Sequence, residues 1–352
     1  MSAVKLGLNL GYWGTGDDAE NLELVKEADL LGYSVVWVAE AYGSDAPTIL
    51  SWVAAQTSSI DIGSAVLQIP ARTPAMTAMT AATLDNLSGG RFRLGLGVSG
   101  PQVSEGWHGV RFARPLARTR EYVDIVNLAL SRQRVRYDGR TYQLPLREGP
   151  GKALQLTVHP AREHIPLYLA AIGPKNLELA GEIGDGALAL FFSAAGAAEL
   201  REHLTVGRQR AGASLDGFDV VATVPVVLGD DLDACAAAVR AYAARYLGGM
   251  GSREQNFYND LARRLGYGEA AAEIQHRYLS RDYAGAEAAV PFEFIDSTSV
   301  LGPIDRMADR MAELAAAGLT TLSVAPHGAT LDDRREIVRA AAFAMEKSGV
   351  GE

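Results

Sequence analysis

The 352-residue sequence has little of several features that would assign it to common classes of protein. It contains one cysteine, Cys235, so no disulfide can form within the chain, and a reducing compartment is compatible with it. Its six histidines form no HxxxH or HExxH pair, and no acidic cluster has ligand spacing, so we expect no metal site. A G-x-S-x-G elbow is also missing, so a serine nucleophile of that type is not favoured.

Clusters of lysine and arginine and long apolar runs are missing as well. The formal net charge is −9, and without a basic patch we expect no binding to nucleic acid. No apolar stretch reaches the ~18 residues of a membrane-spanning helix, so we expect no membrane insertion. The amino-terminal stretch MSAVKLGLNLGYWG lacks the basic start and cleavage site of a signal peptide, and we predict a cytoplasmic protein.

Short apolar runs rich in β-branched residues alternate with helical patterns along most of the chain. Runs of this kind, without polar alternation, are typical of parallel strands that are buried on both faces. They predict eight strands, at residues 4–10, 34–39, 60–68, 91–98, 166–171, 186–192, 218–228 and 319–326. Because strand–helix alternation indicates a parallel sheet and eight units can close, we predict one (β/α)₈ TIM-barrel domain over residues 1–352.

Two insertions interrupt the alternation, and both follow the carboxyl end of a predicted strand. Residues 99–165, after strand 4, contain one helix and the stretch VRYDGRTYQL, in which Asp138-Gly139 predicts a two-residue hairpin turn. Residues 229–300, after strand 7, are predicted to be helical and charged. Barrel enzymes carry their active sites at the carboxyl ends of the strands, so we expect both insertions to border the site.

One segment, Gly95-Leu-Gly-Val-Ser-Gly100, matches the G-x-G-x-x-G pattern of dinucleotide-binding folds. It sits at the fourth strand, and the residues after Gly100 show no helical period, so a Rossmann site is not favoured. Two interpretations stay open. The glycines could meet a need for small residues inside a crowded barrel, or residues 99–101 could offer backbone N–H groups to a ligand.

Two further loops follow predicted strands. In Ile172-Gly173-Pro174-Lys175-Asn176, Pro174 suits a first helical position, and the free N–H groups of a helix start attract phosphate. A plain strand–helix turn would use the same residues, but we expect phosphate binding here. The loop after strand 2 carries Glu40, whose carboxylate could serve the site or form a salt bridge.

Three segments together resemble the bacterial luciferase-like superfamily, and more closely its F420-dependent oxidoreductases from actinobacteria. They are IGSAVLQIPARTPAMTAMTAATLDNLSGGRFRLGLGVSG (62–100), AEAYGSD (39–45) and PLYLAAIGPKNLELAGEIGDGA (166–187). The resemblance implies a barrel that binds the deazaflavin coenzyme F420 and moves a hydride to or from a small organic substrate. An FMN-dependent monooxygenase that works with a separate flavin reductase stays the alternative, and a flavin-binding barrel without turnover is a third.

The resemblance also assigns site residues. It implies a cis peptide at Ala65–Val66, bulging against the back of the deazaflavin ring. The other residues expected at the cofactor are Glu40, Gln68, Ser99, Gly100, Pro101, Ala170, Ala171, Ile172, Gly173 and Pro174.

The source of the proton for the reaction is open. Several relatives have an Asp-His pair after strand 2, with the histidine near the reactive face of the ring, whereas this chain has Glu40-Ala41. Since Ala41 cannot donate a proton, another group or solvent must do so. The candidates are His327, Tyr42, Trp13, Gln68 and His108. Relatives commonly associate, and we expect a homodimer or larger assembly through the Ala-rich helices after strands 2 and 3.

Overall fold

A closed barrel of parallel strands forms the centre of the computed structural model, which describes residues 3–14 and 16–352. Two residues of the stretch assessed as a signal peptide, Met1 and Ser2, therefore lie outside the described residues. Along the chain, the strands are β1 (Lys5–Asn9), β2 (Val35–Val38), β3 (Asp61–Ser64), β4 (Leu67–Gln68), β5 (Phe92–Gly97), β6 (Tyr137–Asp138), β7 (Gln143–Leu144), β8 (Leu167–Ala170), β9 (Gly186–Leu190), β10 (Asp219–Leu228), β11 (Val300–Gly302) and β12 (Thr321–Pro326).

The helices lie between these strands, and a 3₁₀ turn (Ile69–Ala71) and a π-helix (Arg245–Gly249) add to them. They are α1 (Asp18–Leu30), α2 (Ala46–Ala54), α3 (Pro74–Leu87), α4 (Pro101–Gly106), α5 (Pro115–Leu130), α6 (Pro174–Ile183), α7 (Ala194–Arg210), α8 (Leu232–Ala244), α9 (Phe257–Arg264), α10 (Gly268–Leu279), α11 (Tyr283–Ala288), α12 (Phe292–Ser297), α13 (Ile304–Ala316) and α14 (Leu331–Ser348). None of the described helices combines the length and apolarity that a membrane crossing requires.

Eight strands pair in parallel to close the barrel, as predicted. Their order around it is β1, β2, β3, β5, β8, β9, β10 and β12, and β12 returns to pair with β1. All residues of β2 and β5 are buried, which agrees with the absence of polar alternation in their sequences. The eight-stranded prediction is therefore confirmed, and its physical basis is burial on both faces of the sheet.

The inside of the barrel is filled by side chains. Trp37 of β2 packs edge-to-face on Tyr168 of β8, with ring centroids 5.2 Å apart. Below them, Arg93 of β5 donates to Asp61 (2.8 Å) and lies 3.6 Å from Asp219. Because this polar layer and the rings occupy the interior, a ligand can approach from the carboxyl end of the strands.

The third barrel strand is interrupted, whereas the sequence predicts one continuous strand at 60–68. β3 ends at Ser64, and the chain pairs again with β5 as β4. The Ser64 hydroxyl donates to the Gly95 carbonyl oxygen and accepts the Gly95 N–H, both at 2.9 Å. A Cβ on Gly95 would lie 1.9 Å from the Ser64 carbonyl oxygen, so residue 95 must be small. This contact supports the small-residue interpretation of the G-x-G-x-x-G match.

The first insertion differs from its prediction in two places. The residues after Gly100 do form a short helix, α4, although no helical period was expected there. The hairpin β6–β7 exists, but Asp138 pairs with Gln143, so its loop has four residues rather than two. A tertiary contact sets this loop, since the Glu121 carboxylate of α5 accepts the N–H groups of residues 140, 141 and 142.

The second insertion forms helices α8 to α12, as predicted, and a short strand that was not predicted. That strand, β11, extends the sheet by pairing with the end of β10. A separate apolar cluster joins the insertion to the barrel through Phe191, which follows β9, and Val227 of β10. The insertion therefore covers the carboxyl ends of these strands.

Candidate active site

The predicted cofactor residues lie on neighbouring strands of the barrel, at the carboxyl ends of β2, β4, β5 and β8. Gln68, which is 2% exposed, links three of these loops. Its side-chain nitrogen donates to the Ala41 carbonyl oxygen at 2.6 Å, and its side-chain oxygen accepts the Ser99 hydroxyl at 3.0 Å. Gln68 therefore fixes the loops after β2 and β5 relative to β4 through both ends of its side-chain amide.

The floor between β4, β5 and β8 is built from small side chains. A Cβ on Gly97 would lie 2.5 Å from Val66 Cγ2 and 3.7 Å from Ala170 Cβ, so the glycine leaves a shallow gap between these two residues. The peptide Ala65–Val66 beside it is cis, as predicted. The Ala65 N–H donates to the Val38 carbonyl oxygen at 2.8 Å, which ties this segment to β2.

Glu40 forms the salt bridge that the sequence left open. Its carboxylate accepts two hydrogen bonds from the Arg72 guanidinium, at 2.6 and 2.9 Å. It also accepts the N–H groups of Gln68 and Ala46. With four donors around it, the Glu40 carboxylate holds the loop after β2 against the 3₁₀ turn, and its expected contact with a cofactor stays a prediction. Arg72 was not singled out in the sequence, although it lies within the ARTP of the family segment.

The amino terminus of α6 is open, as the phosphate prediction requires. Gly173 is the N-cap residue and has no side chain that could cap the helix, and no described atom lies within 4 Å of the position of a Cβ there. The next helix along the chain, α7, is instead capped by the Ser193 side chain. The Asn176 side chain donates to the Ala170 carbonyl oxygen at 3.0 Å and holds the loop in place.

Two cations lie near this helix start, but they are engaged differently. Lys175 binds Glu178, and together with Arg210 it holds the pKa of Glu178 down at about 2, so part of the Lys175 charge is already compensated. Arg264 of α9 reaches across from the second insertion and donates to the Ile172 carbonyl oxygen at 2.9 Å, and its Nε atom lies 3.3 Å from a Glu199 carboxylate oxygen. Sequence reasoning missed Arg264, because nothing local connects it to a loop that lies 92 residues earlier.

The predicted catalytic residues differ in exposure and in surroundings. Trp13 is 1% exposed and lies edge-on to Trp52 of α2 in the hydrophobic core, and its buried Nε1 atom has no hydrogen-bond partner among the described residues. Tyr42 is 66% exposed on the loop after β2. His108, after α4, has a buried Nε2 atom without a hydrogen-bond partner among the described residues.

His327 directly follows β12, and its ring faces α8. The ring lies edge-on to Tyr242, with centroids 5.5 Å apart. Burial lowers the pKa of His327, although an interaction with the Ala238 backbone opposes this. Burial therefore favours the neutral form of the imidazole.

An aromatic wall stands on the other half of the barrel mouth, and sequence reasoning did not anticipate it. The wall comprises Tyr12, Phe191, Tyr242, Tyr246, Tyr258 and His327. Its members follow β1, β9 and β12 or come from the second insertion, whereas the predicted cofactor loops follow β2, β4, β5 and β8. The spacing of the Tyr242 and Tyr246 pair, one turn apart in a helical segment, is the sequence signal that could have indicated it.

Comparisons with known proteins show which family the chain resembles in sequence and fold. The profile of the luciferase-like monooxygenase family matches residues 10–321. A Mycobacterium tuberculosis protein named as a coenzyme F420-dependent oxidoreductase is 46% identical over 330 residues, which cover 92% of this chain and 95% of the relative. A 5,10-methylenetetrahydromethanopterin reductase of Archaeoglobus fulgidus is 30% identical over 302 residues, covering 84% of this chain and 86% of the relative.

A solved structure extends the similarity to the fold. The coenzyme F420-dependent tetrahydromethanopterin reductase of Methanopyrus kandleri superposes with a TM-score of 0.82 at 25% identity, over 97% of this chain and 98% of that one. The family match spans most of the barrel, and the relatives cover nearly all of the chain. The chain therefore belongs to the luciferase-like monooxygenase family.

Proposed function

We propose that the protein is an oxidoreductase that binds coenzyme F420 and exchanges a hydride between it and a small organic substrate. The observation that carries the proposal is the small-residue floor at Gly97, which includes Ala170 of β8, together with the open start of α6, the helix that follows β8. A relative with 46% identity is named as F420-dependent, and this name favours F420 over FMN.

The residues present fit such a cofactor. A flat ring needs a floor without projecting side chains, and the gap between Val66 and Ala170 over Gly97 offers one. A phosphate group needs free N–H donors, which the start of α6 offers, and the Arg264 guanidinium, which also pairs with Glu199, lies beside the preceding loop. The gap at Gly97 would close if a Cβ were present.

The chain's own contribution is to orient the reactants and to exclude water. The bound deazaflavin would supply the carbon that gives or takes the hydride, and cofactors of this kind carry the redox chemistry themselves. The filled interior beneath the floor, with Trp37 against Tyr168, keeps water away from below. Holding donor and acceptor in contact is itself a large contribution to rate, so no catalytic base is required for the hydride step.

Anaerobic titration with F420 and with FMN, followed by absorbance and fluorescence, tests the proposal. We expect F420 to bind at least about tenfold more tightly than FMN, a difference of about 1.4 kcal/mol. Reduced F420 should then be oxidised when neutral ketones, imines or activated alkenes are added. Tighter binding of reduced FMN with uptake of oxygen would instead indicate the monooxygenase alternative. Binding of F420 without any hydride exchange would indicate a barrel that does not turn over.

A further inference from the structure

The aromatic wall contains a buried hydroxyl group that has no hydrogen-bond partner in the described part of the chain. The Tyr242 hydroxyl oxygen is buried and makes no hydrogen bond within the described part of the chain. Other buried tyrosines here are paired, since Tyr33 donates to the Val338 carbonyl oxygen and Tyr168 donates to Asp219. A buried hydroxyl without a partner is costly, so a polar atom from outside the chain is expected to meet it.

The position of Tyr242 places that hydroxyl at the mouth of the barrel. Its ring packs on Phe191, which directly follows β9, and on His327, which directly follows β12. Its hydroxyl has Tyr12 and Tyr258 as electrostatic neighbours, and Tyr12 lies on the loop after β1. The Tyr242 hydroxyl therefore lies in the half of the barrel mouth that is opposite the small-residue floor.

The rings of the wall are packed together without being fully buried. Tyr12, Tyr242, Tyr246, Tyr258 and His327 are each only partly buried, although their rings contact one another. The Tyr242 and Tyr246 rings, for example, lie 4.8 Å apart, and each keeps accessible surface. Partly exposed rings around a buried hydroxyl are the usual composition of a small-molecule site, with an apolar lining and a few polar groups.

The charges around the wall select against ions. The ring and electrostatic neighbours of Tyr242 are phenols, Phe191 and His327, and burial favours the neutral form of His327. Arg245 is the charged neighbour of Tyr12 and Tyr246, and its side chain is exposed. An anion brought next to Tyr242 would lose water without meeting an opposite charge there, which is unfavourable.

We propose that Tyr242 is the substrate-positioning residue of this enzyme, and that its hydroxyl donates a hydrogen bond to the oxygen of a neutral ketone or alcohol whose apolar body contacts the aromatic wall. The assignment of the aromatic wall to the substrate rests on the proposed function. The hydrogen bond itself can be measured with or without the cofactor.

Acetophenone, ethylbenzene and benzoate are suitable probes, because they share a ring and differ in the carbonyl and in charge. Their dissociation constants would be measured by ligand-observed NMR on the protein with and without bound F420. For the wild-type protein we expect acetophenone to bind about tenfold more tightly than ethylbenzene, and benzoate to bind more weakly than acetophenone. In Tyr242→Phe, which keeps the ring contacts, the preference for acetophenone should fall below twofold, while binding of ethylbenzene stays unchanged.

A spectroscopic readout separates a hydrogen bond from a merely structural effect. The carbonyl stretch of bound acetophenone should lie at lower frequency in the wild-type protein than in Tyr242→Phe. Tyr283→Phe is the matched control, since Tyr283 is 50% exposed on α11, and it should behave as the wild-type protein does. Thermal unfolding would establish that both variants are folded.

Three results would overturn the proposal. The first is an unchanged preference for acetophenone in Tyr242→Phe, which would indicate that a water molecule occupies the hydroxyl group. The second is tighter binding of benzoate than of acetophenone. The third is no binding of acetophenone up to its solubility limit. If F420 fails to bind while the carbonyl preference persists and depends on Tyr242, the proposed function fails and the subsite stands. If F420 binds and the preference is absent, the subsite fails alone.

Discussion

At position 95, a single backbone atom of a neighbouring strand requires the residue to be glycine. The carbonyl oxygen of Ser64 occupies the space that any side chain on β5 would need at this point, and the Ser64 hydroxyl bridges both backbone groups of Gly95. The same glycine had two interpretations in the sequence, a crowded barrel or a ligand loop. Crowding applies to Gly95, whereas Gly97 additionally opens the floor of the candidate site.

Gly95→Ala should destabilise the protein, because the new Cβ would overlap a main-chain atom that cannot move without disrupting β3. We expect a loss of at least about 3 kcal/mol in the free energy of unfolding, the upper end of typical overpacking effects. Urea denaturation measures this loss. Gly106→Ala, where no described atom lies within 4 Å of the new Cβ, is the control and should stay close to the wild-type protein. Equal stability of the two variants would contradict the steric argument.

The proton donor is also a question about single residues. His327 stays neutral because burial lowers its pKa, and Tyr42 is exposed at the mouth. We predict that His327→Ala or Tyr42→Phe slows turnover severalfold if the changed residue delivers the proton, with F420 affinity measured separately in each variant. Near-full rates in both variants would assign proton delivery to water.

At the scale of elements, the start of α6 and the loop before it behave as a unit. Hydrogen bonds from the side chains of Asn176 in α6 and Arg264 in the second insertion hold the loop before α6. The first N–H groups of α6 therefore have a fixed position. Local pattern was enough to predict the helix start, since proline at the first position and glycine before it are sequence signals. Arg264 lies next to this loop because α9 folds back onto it, and no local sequence pattern connects the two segments.

Gly173→Val should weaken F420 binding about tenfold or more, or about 1.4 kcal/mol, because the branched side chain would occupy the approach to the α6 N–H groups. The backbone at Gly173 has φ of −85° and the surrounding space is open, so valine is accommodated without strain. Fluorescence titration with F420 measures the change. Gly106→Val places the same side chain in open space on α4 and should bind normally. Unchanged affinity in a folded Gly173→Val protein would exclude this helix start as the phosphate site.

For the whole molecule, the surface formed by α2 and α3 is the candidate interface. Trp52 on α2 is 39% exposed, and Met76 and Met79 on α3 are 51% and 52% exposed. Large apolar side chains that gather on neighbouring helices are typical of surfaces that are covered in an assembly. We therefore keep the proposal of a homodimer and place its interface on these helices.

Light scattering at micromolar concentration should give the mass of a dimer. Met79→Glu should give a monomer, because burying an unpaired carboxylate in an apolar interface is unfavourable. Phe343→Glu is the matched control on α14, where Phe343 is 55% exposed, and it should leave the mass unchanged. A monomeric wild-type protein, or dissociation by both variants, would refute the assignment.

The amino-acid pattern was enough to predict the barrel and the order of most of its strands and helices. Eight apolar runs at the spacing of strand–helix units suffice for this, because burial on both faces of a parallel strand leaves a local pattern. The family segments also identified the cis peptide at Ala65–Val66 and the open helix start at Gly173, since each lies within a continuous stretch of chain.

Contacts between side chains that are far apart in the chain could not be predicted and became visible in the folded protein. Arg72 meets Glu40 from 32 residues away, and Arg264 meets Ile172 from 92 residues away. Folding also buried Trp13 in the core, turned His327 towards Tyr242 and set the hairpin loop on Glu121. The physical reason is that periodicity records how buried a residue is, whereas partners across a closed barrel depend on loop paths that no local pattern encodes.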